Sequence, residues 1–235
     1  MKRGYERTTY YPVHLDLVGK GCVVVGGGKV AERKVRSLLS ARADVTVVSP
    51  EVTRGIANLA RRGCIRHLND RYQQKFLRGA WLVIAATDDA ATNARIAKDA
   101  TRLRALVNAV DMPDASTFIV PAVLRRGSLS ICISTDGQSP LLARVLKERC
   151  SACIGREYAT LARMLGALRR KPGVRAANPC VRATLYENLI RSPLLYLLRD
   201  GKTKEARRLV QEIMDSMITW DSCLPAGRPA NNMRE

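Results

Sequence analysis

Residues 23–31 constrain the fold of this chain more than any other stretch. An apolar run leads directly into three glycines, and a helical pattern begins at Lys29. The turn fits the fingerprint G-x-G-x-x-G/A through Gly26, Gly28 and Ala31. In that motif the first glycine allows a tight turn, the second lets backbone approach a pyrophosphate, and the third small residue lets helix and strand pack closely. The stretch therefore predicts a dinucleotide-binding unit, with a ligand-free glycine turn as the alternative.

The helix that follows the glycines strengthens this prediction. Its periodicity predicts a helix over residues 29–40, with an apolar face made by Val30, Ala31, Val35, Leu38 and Leu39. A helix N-terminus attracts phosphates through its free backbone N–H groups and its dipole. The residues predicted to bind the cofactor at this turn are Gly26, Gly28, Lys29, Val30 and Ala31.

The end of the second predicted strand bears on the choice of cofactor. Dinucleotide folds that bind NAD often carry an acidic residue there, which holds the ribose hydroxyls. Here the strand 44–48 is followed by Ser49 and Pro50, with Glu51 slightly later. No arginine stands at the strand tip to accept a 2′-phosphate, although Arg54 is close. We therefore expect Pro50 and Glu51 to contact the cofactor, and NAD rather than NADP to be bound.

Strand-like and helix-like patterns alternate as far as residue 111. This alternation predicts an α/β domain of Rossmann type with a parallel sheet. Thr87 and Asp88 follow the fourth strand, at the edge where ligands bind in such sheets, and are predicted to contact the cofactor. The alternative, which the sequence fits equally well, is that Asp88 or Asp89 is the N-cap of the next helix. The predicted strands are 22–25, 44–48, 64–68, 81–86 and 106–110, and the helices between them are 29–40, 52–62 and 90–101.

Asp111 is the most informative titratable residue in the sequence. It follows the fifth predicted strand and is itself followed by Met112 and Pro113. A carboxylate at that edge of the sheet can reach a substrate placed beside a nicotinamide, so Asp111 is the predicted catalytic residue. The alternative is an aspartate that only forms a turn.

The pattern changes after Asp111. Two further strands are predicted at 118–122 and 129–134, and the rest of the chain is predicted to be helical, over 140–153, 155–170, 182–199 and 202–218. The predicted organisation is a nucleotide-binding domain over 1–112, a dimerisation segment over 113–150, a helical domain over 151–222, and a disordered tail over 223–235.

The composition narrows the possible partners. Forty Lys and Arg against 21 Asp and Glu give a formal charge of +19, spread over both halves of the chain. Such a field favours polyanions, including small polycarboxylates. Nucleic acid has little support because only 5% of residues are aromatic. Cys150 and Cys153 form a lone C-x-x-C without further ligands nearby, so we predict no metal site.

The termini and hydropathy suggest where the protein works. No apolar run is long enough to span a membrane. The first nine residues are charged and lack the apolar core of a signal peptide. We therefore expect a cytoplasmic protein.

Taken together, the motifs resemble the precorrin-2 dehydrogenase / sirohydrochlorin ferrochelatase module of siroheme synthesis. The resemblance covers about residues 10–145 in order. It is specific because of the combination, whereas the glycine turn alone is not. The matching segments are 11–13 with Leu15, 25–34, 47–50, 85–89 with Asn93, 108–113, Phe118 with 121–122, 126–127, and 133–140 with 142–144. No methyltransferase module follows in this sequence, so the expected form is the stand-alone one.

The resemblance implies a homodimeric oxidoreductase that uses NAD to oxidise precorrin-2 to sirohydrochlorin. Some members of the family also insert ferrous iron, a lyase reaction that others lack. Asp111 matches the aspartate that family models favour for proton transfer. A polycarboxylate tetrapyrrole would also be an evident partner for the positive field. The alternatives are a non-catalytic NAD-sensing Rossmann module and a tetrapyrrole carrier or pure chelatase.

Overall fold

The computed structural model describes residues 9–221, with side chains described as far as Ser216. The predicted tail 223–235 lies outside the described residues, as does nearly all of the N-terminus considered for a signal peptide. The described chain divides into two compact units. The first holds residues up to Pro121 together with Thr135–Ser139, and the second holds Ala122–Ser134 and the chain from Pro140 onward. The predicted domain boundaries stay a prediction.

The first unit alternates strands and helices, which confirms the predicted α/β class. Two short 3-10 turns, Gln74–Leu77 and Pro113–Ala115, complete it. Its elements are β1 Gly21–Val25, α1 Lys29–Ser40, β2 Asp44–Val48, α2 Arg54–Arg61, β3 Arg66–Leu68, β4 Leu82–Ala85, α3 Ala90–Arg102 and β5 Leu106–Ala109.

These five strands form one parallel sheet in the order β3-β2-β1-β4-β5. At the carboxyl ends, Val25 of β1 lies opposite Val48 of β2 and Ala85 of β4. The strand order reverses between β1 and β4, which makes this pair the switch point of the sheet. Ligands of open α/β sheets bind in the crevice outside the strand ends at such a point.

Both faces of the sheet are buried. Val24 of β1 belongs to the apolar cluster that includes Val35 of α1 and Ile56 of α2. Its neighbour Val25 belongs to the opposite cluster, which includes Ile96 of α3. A sheet covered on both faces needs apolar residues at successive positions, which explains the uninterrupted apolar runs in the sequence.

Helix α1 has the predicted bounds, but one residue of its predicted apolar face lies elsewhere. Ala31, Val35 and Leu38 are buried, and Leu39 packs against the same cluster. Val30 is 38% exposed. Each helical residue is rotated by about 100° from the one before it, so Val30 lies to the side of the stripe that meets the sheet.

The predicted strand at 118–122 is wrong. The strand begins at the end of that stretch, as β6 Ala122–Arg126, and pairs antiparallel with β7 Leu129–Ile133 in the second unit. Gly127 opens the two-residue connection with a φ of 58°, a conformation that favours glycine. Just before β6, the Phe118 carbonyl accepts from Nδ2 of Asn108 at 3.0 Å. A side-chain hydrogen bond thus connects this stretch, which was predicted to be a strand, to β5.

The second unit is otherwise helical. Leu161, Leu185, Leu189 and Leu194 belong to its apolar core. The helices are α4 Pro140–Cys153, α5 Glu157–Arg169, α6 Pro172–Ala176, α7 Pro179–Arg191, α8 Leu194–Arg199 and α9 Thr203–Asp221. Within residues 9–221, no helix combines the length and the apolarity needed to cross a membrane.

The helix predicted over 182–199 is two helices, α7 and α8. Pro193 separates them because its ring nitrogen carries no hydrogen for the helical ladder. The Ser192 backbone N–H bonds to the Asn188 carbonyl at 2.9 Å and closes α7. The start of α7 is set by Asn178, whose Oδ1 accepts from the Cys180 backbone N–H at 2.9 Å.

Candidate functional site

A cleft of about 670 Å³ lies at the carboxyl ends of β1, β2 and β4. Its lining includes the glycine turn and the loops that follow β2, β3 and β4. It therefore occupies the switch point of the sheet, where the fold class places a ligand. Of the predicted cofactor residues, those that line it are Gly26, Gly28, Pro50, Glu51, Thr87 and Asp88.

Gly26 is required by the protein itself. Its φ of 124° is a conformation that L side chains rarely adopt. A Cβ placed there would lie 2.1 Å from the Ala86 carbonyl oxygen. Its backbone N–H bonds to the Val48 carbonyl at 2.9 Å, so the turn crosses between β2 and β4 at close range. This matches the tight-turn role predicted for the first glycine of the motif.

Gly27 is a second required glycine that the motif did not single out. A Cβ there would lie 1.7 Å from the Glu51 carbonyl oxygen. The Gly27 carbonyl also accepts from the Thr53 backbone N–H at 2.9 Å, which fixes the turn to the loop after β2. The signal was present in the sequence as three consecutive glycines, but the fingerprint treats the middle position as variable.

Gly28 differs from Gly26 and Gly27, because neither its backbone conformation nor its packing requires a glycine. A Cβ built on Gly28 meets no atom within 4 Å, and its φ is −77°. It is the N-cap of α1, and no side chain caps the helix there. The first N–H groups of a helix have no partner within the helix. An open space beside these donors fits a pyrophosphate. Lys29, Val30 and Ala31 do not line the cleft, and Ala31 is buried in the core, so their contact with the cofactor stays a prediction.

Glu32 ties the start of α1 to the start of α2. Its carboxylate accepts from Thr53 Oγ1 at 2.6 Å and from Arg36 Nη2 at 2.7 Å. Thr53 Oγ1 in turn caps α2 by accepting from the Ile56 backbone N–H at 3.3 Å. The hydrogen bonds from Thr53 and Arg36 hold the pKa of Glu32 below its usual value. This network holds the start of α1, which follows the glycine turn, against the start of α2.

The loop after β2 is held by its own backbone and by β3. Ser49 Oγ donates to the Glu51 carbonyl at 2.6 Å. The Ser49 carbonyl contacts His67 Nε2 at 2.9 Å. These bonds give Pro50 and Glu51 a defined place on the wall of the cleft, and their contact with the cofactor stays a prediction.

The loop after β4 is organised by Asn93. Its Oδ1 accepts from Thr87 Oγ1 at 2.8 Å, and its Nδ2 donates to the Thr87 carbonyl at 2.9 Å. Asp89 is the N-cap of α3, and accepts from the backbone N–H groups of Ala91 and Thr92 at 3.1 Å each. Since Asp89 caps the helix, Asp88 is left to the cleft wall, and among described residues no group hydrogen-bonds to its carboxylate.

Sequence reasoning missed one wall of the cleft, formed by Arg71, Tyr72 and Arg95. The guanidinium of Arg95 lies 5.2 Å from the centre of the Tyr72 ring. The Tyr72 hydroxyl donates to Asp99 Oδ2 at 2.9 Å. Burial and the Asp99 carboxylate raise the pKa of Tyr72, so the phenol stays neutral. No local pattern could reveal this wall, since Tyr72 and Asp99 are brought together only by the fold.

Asp111 follows β5 at the same edge of the sheet, as predicted, but it does not line the cleft. Two strand spacings, about 10 Å, separate the ends of β5 and β1. Asp111 is exposed and has a φ of 59°. Among non-glycine residues, aspartate and asparagine adopt this conformation most readily. The chain thus places an exposed carboxylate beside, not inside, the predicted nucleotide cleft.

Within the described part of the chain, no group of three or more His, Cys, Asp and Glu side chains is arranged to hold a metal ion. Cys150 and Cys153 are both free thiols near the end of α4.

Known proteins match both units of this chain. A family model described as putative NAD(P)-binding matches residues 13–122, and one described as sirohaem biosynthesis protein central matches 126–149. The siroheme synthase of Methylococcus capsulatus is 39% identical over 88% of this chain and 44% of its own length. That of Nitrosospira multiformis is 36% identical over 88% of this chain and 45% of its own. The chain thus spans about half the length of these curated relatives.

A solved structure agrees with the sequence matches. The precorrin-2 dehydrogenase SirC superposes with a TM-score of 0.71 at 28% identity, covering 88% of this chain and 100% of SirC. The sheet, the glycine turn and the cleft define a nicotinamide-dinucleotide-binding protein of Rossmann type. More narrowly, the chain belongs to the precorrin-2 dehydrogenase / sirohydrochlorin ferrochelatase family of siroheme biosynthesis.

Proposed function

We propose that this protein oxidises precorrin-2 to sirohydrochlorin with NAD as the acceptor. The observation that carries the proposal is Gly28, where the protein leaves open space beside the free end of α1. The family membership supplies the substrate class, because the matched relatives are named as siroheme synthases and a precorrin-2 dehydrogenase.

The charge of the cleft favours NAD over NADP. NADP carries an additional phosphate on the adenosine ribose, which NAD-type sites exclude with acidic groups. The cleft wall carries four carboxylates and two guanidiniums, although the chain as a whole has a charge of +19. These groups are Glu51, Asp70, Asp88 and Asp89, with Arg71 and Arg95.

The chemistry divides between the cofactor and the chain. Bound NAD supplies the hydride acceptor. The chain must bind the dinucleotide, which Gly28 and the α1 N-terminus do, and must accept the proton that the macrocycle loses. We assign that proton to the Asp111 carboxylate, which is exposed at the same edge of the sheet. A positioned carboxylate that accepts a proton contributes general-base catalysis.

The assignment of Asp111 is best tested with asparagine, because asparagine tolerates the φ of 59° that alanine does not. Asp111→Asn should bind NAD with wild-type affinity, measured by calorimetry, and should produce sirohydrochlorin at least about a hundredfold more slowly. Turnover near the wild-type rate would remove Asp111 from the mechanism. Intact NAD binding without turnover in the wild-type protein would favour the sensor alternative.

Iron insertion and its dependence on NAD are tested separately. Ferrous iron, added after sirohydrochlorin has formed, tests for the insertion step that some family members perform. Insertion of iron into sirohydrochlorin without any NAD requirement would favour the pure chelatase.

We also propose a homodimer that pairs through the β6–β7 ribbon and the start of α4. A two-stranded ribbon is marginally stable alone. Val123 and Leu141 leave 38% and 62% of their surfaces exposed there. Light scattering should report a dimer for the wild-type protein and a larger monomer fraction for Leu141→Glu. A wild-type monomer at micromolar concentration would contradict this part of the proposal.

A further inference from the structure

The helical unit contains a long basic stretch without acidic residues. Between residues 158 and 186 the sequence has no Asp or Glu. Its six basic residues are Arg163, Arg169, Arg170, Lys171, Arg175 and Arg182. They lie on α5, α6 and α7 and the links between them. The positive charge of this region is therefore not neutralised by its own sequence.

Contacts in the folded chain do not neutralise the positive charge of residues 158–186 either. Elsewhere in the same unit, arginines pair with carboxylates, as Arg191 does with Glu187 at 2.7 Å and Arg199 with Glu157 at 3.1 Å. Among the residues that the structure describes, none of the six bases between 158 and 186 makes an ion pair. A solvated basic face is the ordinary explanation of such a run, and it predicts side chains that simply extend into water.

A cavity makes this region more than a solvated face. A recess of about 460 Å³ lies between α5 and α7. It is lined by Leu165, Gly166 and Arg169 of α5 and by Arg182 and Tyr186 of α7. This volume is within the range of small-ligand sites. The lining combines two guanidiniums and a phenol with no carboxylate.

Two of the polar groups have unused hydrogen-bonding capacity. Tyr186 Oη is buried, and no described residue bonds to it. Arg182 donates from Nη1 to the Arg175 carbonyl at 3.1 Å, which positions the guanidinium and leaves its other donors available. Buried polar groups without partners are uncommon in folded proteins and call for an explanation. A ligand oxygen between α5 and α7 would supply the missing partner.

Gly166 contributes room on the other side of the recess. It lies within α5, where glycine is a poor helix former. A Cβ there would meet only Arg170 Nη1, at 3.9 Å. Packing therefore does not require glycine at this position, and a larger side chain would enter open space.

We propose that this recess is a binding site for a small multivalent anion that presents carboxylate or phosphate oxygens to Arg169, Arg182 and Tyr186. Paired guanidiniums recognise such oxygens through bidentate hydrogen bonds. The limited volume and the single aromatic side chain fit a small molecule rather than a nucleic acid strand. The proposal does not depend on the proposed dehydrogenase activity, since the site lies wholly within the helical unit.

The test is calorimetric titration of the full chain, saturated with NAD, using citrate and pyrophosphate as separate probes. At least one probe should bind with a dissociation constant below about 1 mM. Tighter binding of citrate indicates a carboxylate ligand, and tighter binding of pyrophosphate a phosphate ligand. The double variant R169Q/R182Q should lose at least about tenfold in affinity. The control R163Q/R207Q removes the same charge outside the recess and should stay within about twofold.

Two further variants separate the site from general charge. Gly166→Leu keeps every charge and should abolish binding by filling the recess, while the helical unit stays folded. Tyr186→Phe should weaken binding severalfold without lowering the melting temperature. The proposal is overturned if neither probe binds to the wild-type protein, if both double variants lose equally, or if Gly166→Leu and Tyr186→Phe bind as the wild type does.

Discussion

Gly28→Asp should stabilise the free protein and abolish NAD binding. These opposite effects directly test whether the glycine turn binds the pyrophosphate. Gly28 is the N-cap of α1, with φ and ψ of −77° and −175°, which any residue adopts. Aspartate is among the best N-cap residues, and its charge favours the positive end of the helix dipole. Since a Cβ at Gly28 meets nothing, we expect a gain of about 0.5–1 kcal/mol in the free energy of unfolding, a few tenths of it from the cap and the rest from the dipole.

The same carboxylate would lie where the pyrophosphate must lie. Two unit charges 4 Å apart repel by about 4 kcal/mol in surroundings of intermediate dielectric constant. At about 1.4 kcal/mol per factor of ten, the affinity for NAD should fall roughly a thousandfold. Gly28→Ala adds only a methyl group and should lose about tenfold with little change in stability.

Gly27→Ala is the matched control, because its Cβ would lie 1.7 Å from the Glu51 carbonyl oxygen. That clash requires a backbone shift, so the variant should lose at least about 1–3 kcal/mol of stability with or without ligand. Denaturant unfolding and calorimetric NAD titration on the three variants give both quantities. The account is refuted if Gly28→Asp binds NAD normally, or if it is as unstable as Gly27→Ala.

Three other predictions concern the supports of the sheet and the cleft. Burial, with a smaller effect of a nearby carboxylate, raises the pKa of the Cys22 thiol from 9.0 to about 11. The unfolded thiol ionises first, so about 2–3 kcal/mol of stability should be lost between pH 9 and pH 11, and Cys22→Ala should show a smaller loss over that interval. The pKa of Glu32 is lowered, so its stabilisation is present at neutral pH and lost as the pH falls through that lowered pKa. Glu32→Gln should therefore show weaker acid dependence in urea melts and bind NAD severalfold less tightly. Tyr72→Phe leaves the buried Asp99 without its donor and should cost about 1–3 kcal/mol in the same melts.

The sheet was predictable because its signals are local. Apolar runs mark strands that are buried on both faces, and the 3.6-residue period gave α1 the bounds that the structure has. Family membership, confirmed by the comparisons, also followed from motifs in fixed order. The roles of Gly28 and Asp111 in binding and catalysis stay predictions.

The errors and omissions arise where non-local contacts decide the structure. The stretch around Phe118 has strand composition, but the Asn108 side chain holds it outside any ladder. One error has a local cause instead: the prediction of a single helix over 182–199 followed the periodicity across Pro193, whose ring ends the first helix. The wall formed by Tyr72 and Arg95 depends on Asp99, 27 residues away from Tyr72 in the chain. Such pairings are properties of the folded chain.

The structure also shows where the charged side chains of the chain are concentrated. The uniform excess of Lys and Arg in the sequence suggested a general positive field. In the folded chain, the cleft wall carries more carboxylates than guanidiniums. The stretch without acidic residues, 158–186, covers α5 after its first residue, all of α6 and the first part of α7. Anion recognition is therefore expected at particular places, and the two binding proposals can be separated by mutation.

The central claim is that the cleft binds NAD for the oxidation of precorrin-2. It is tested most directly by following NADH and sirohydrochlorin together, with the wild-type protein and Gly28→Asp under the same conditions. We predict equimolar formation of the two products by the wild type and neither product from Gly28→Asp. Sirohydrochlorin formed without NADH, or equal rates for both proteins, would contradict the claim.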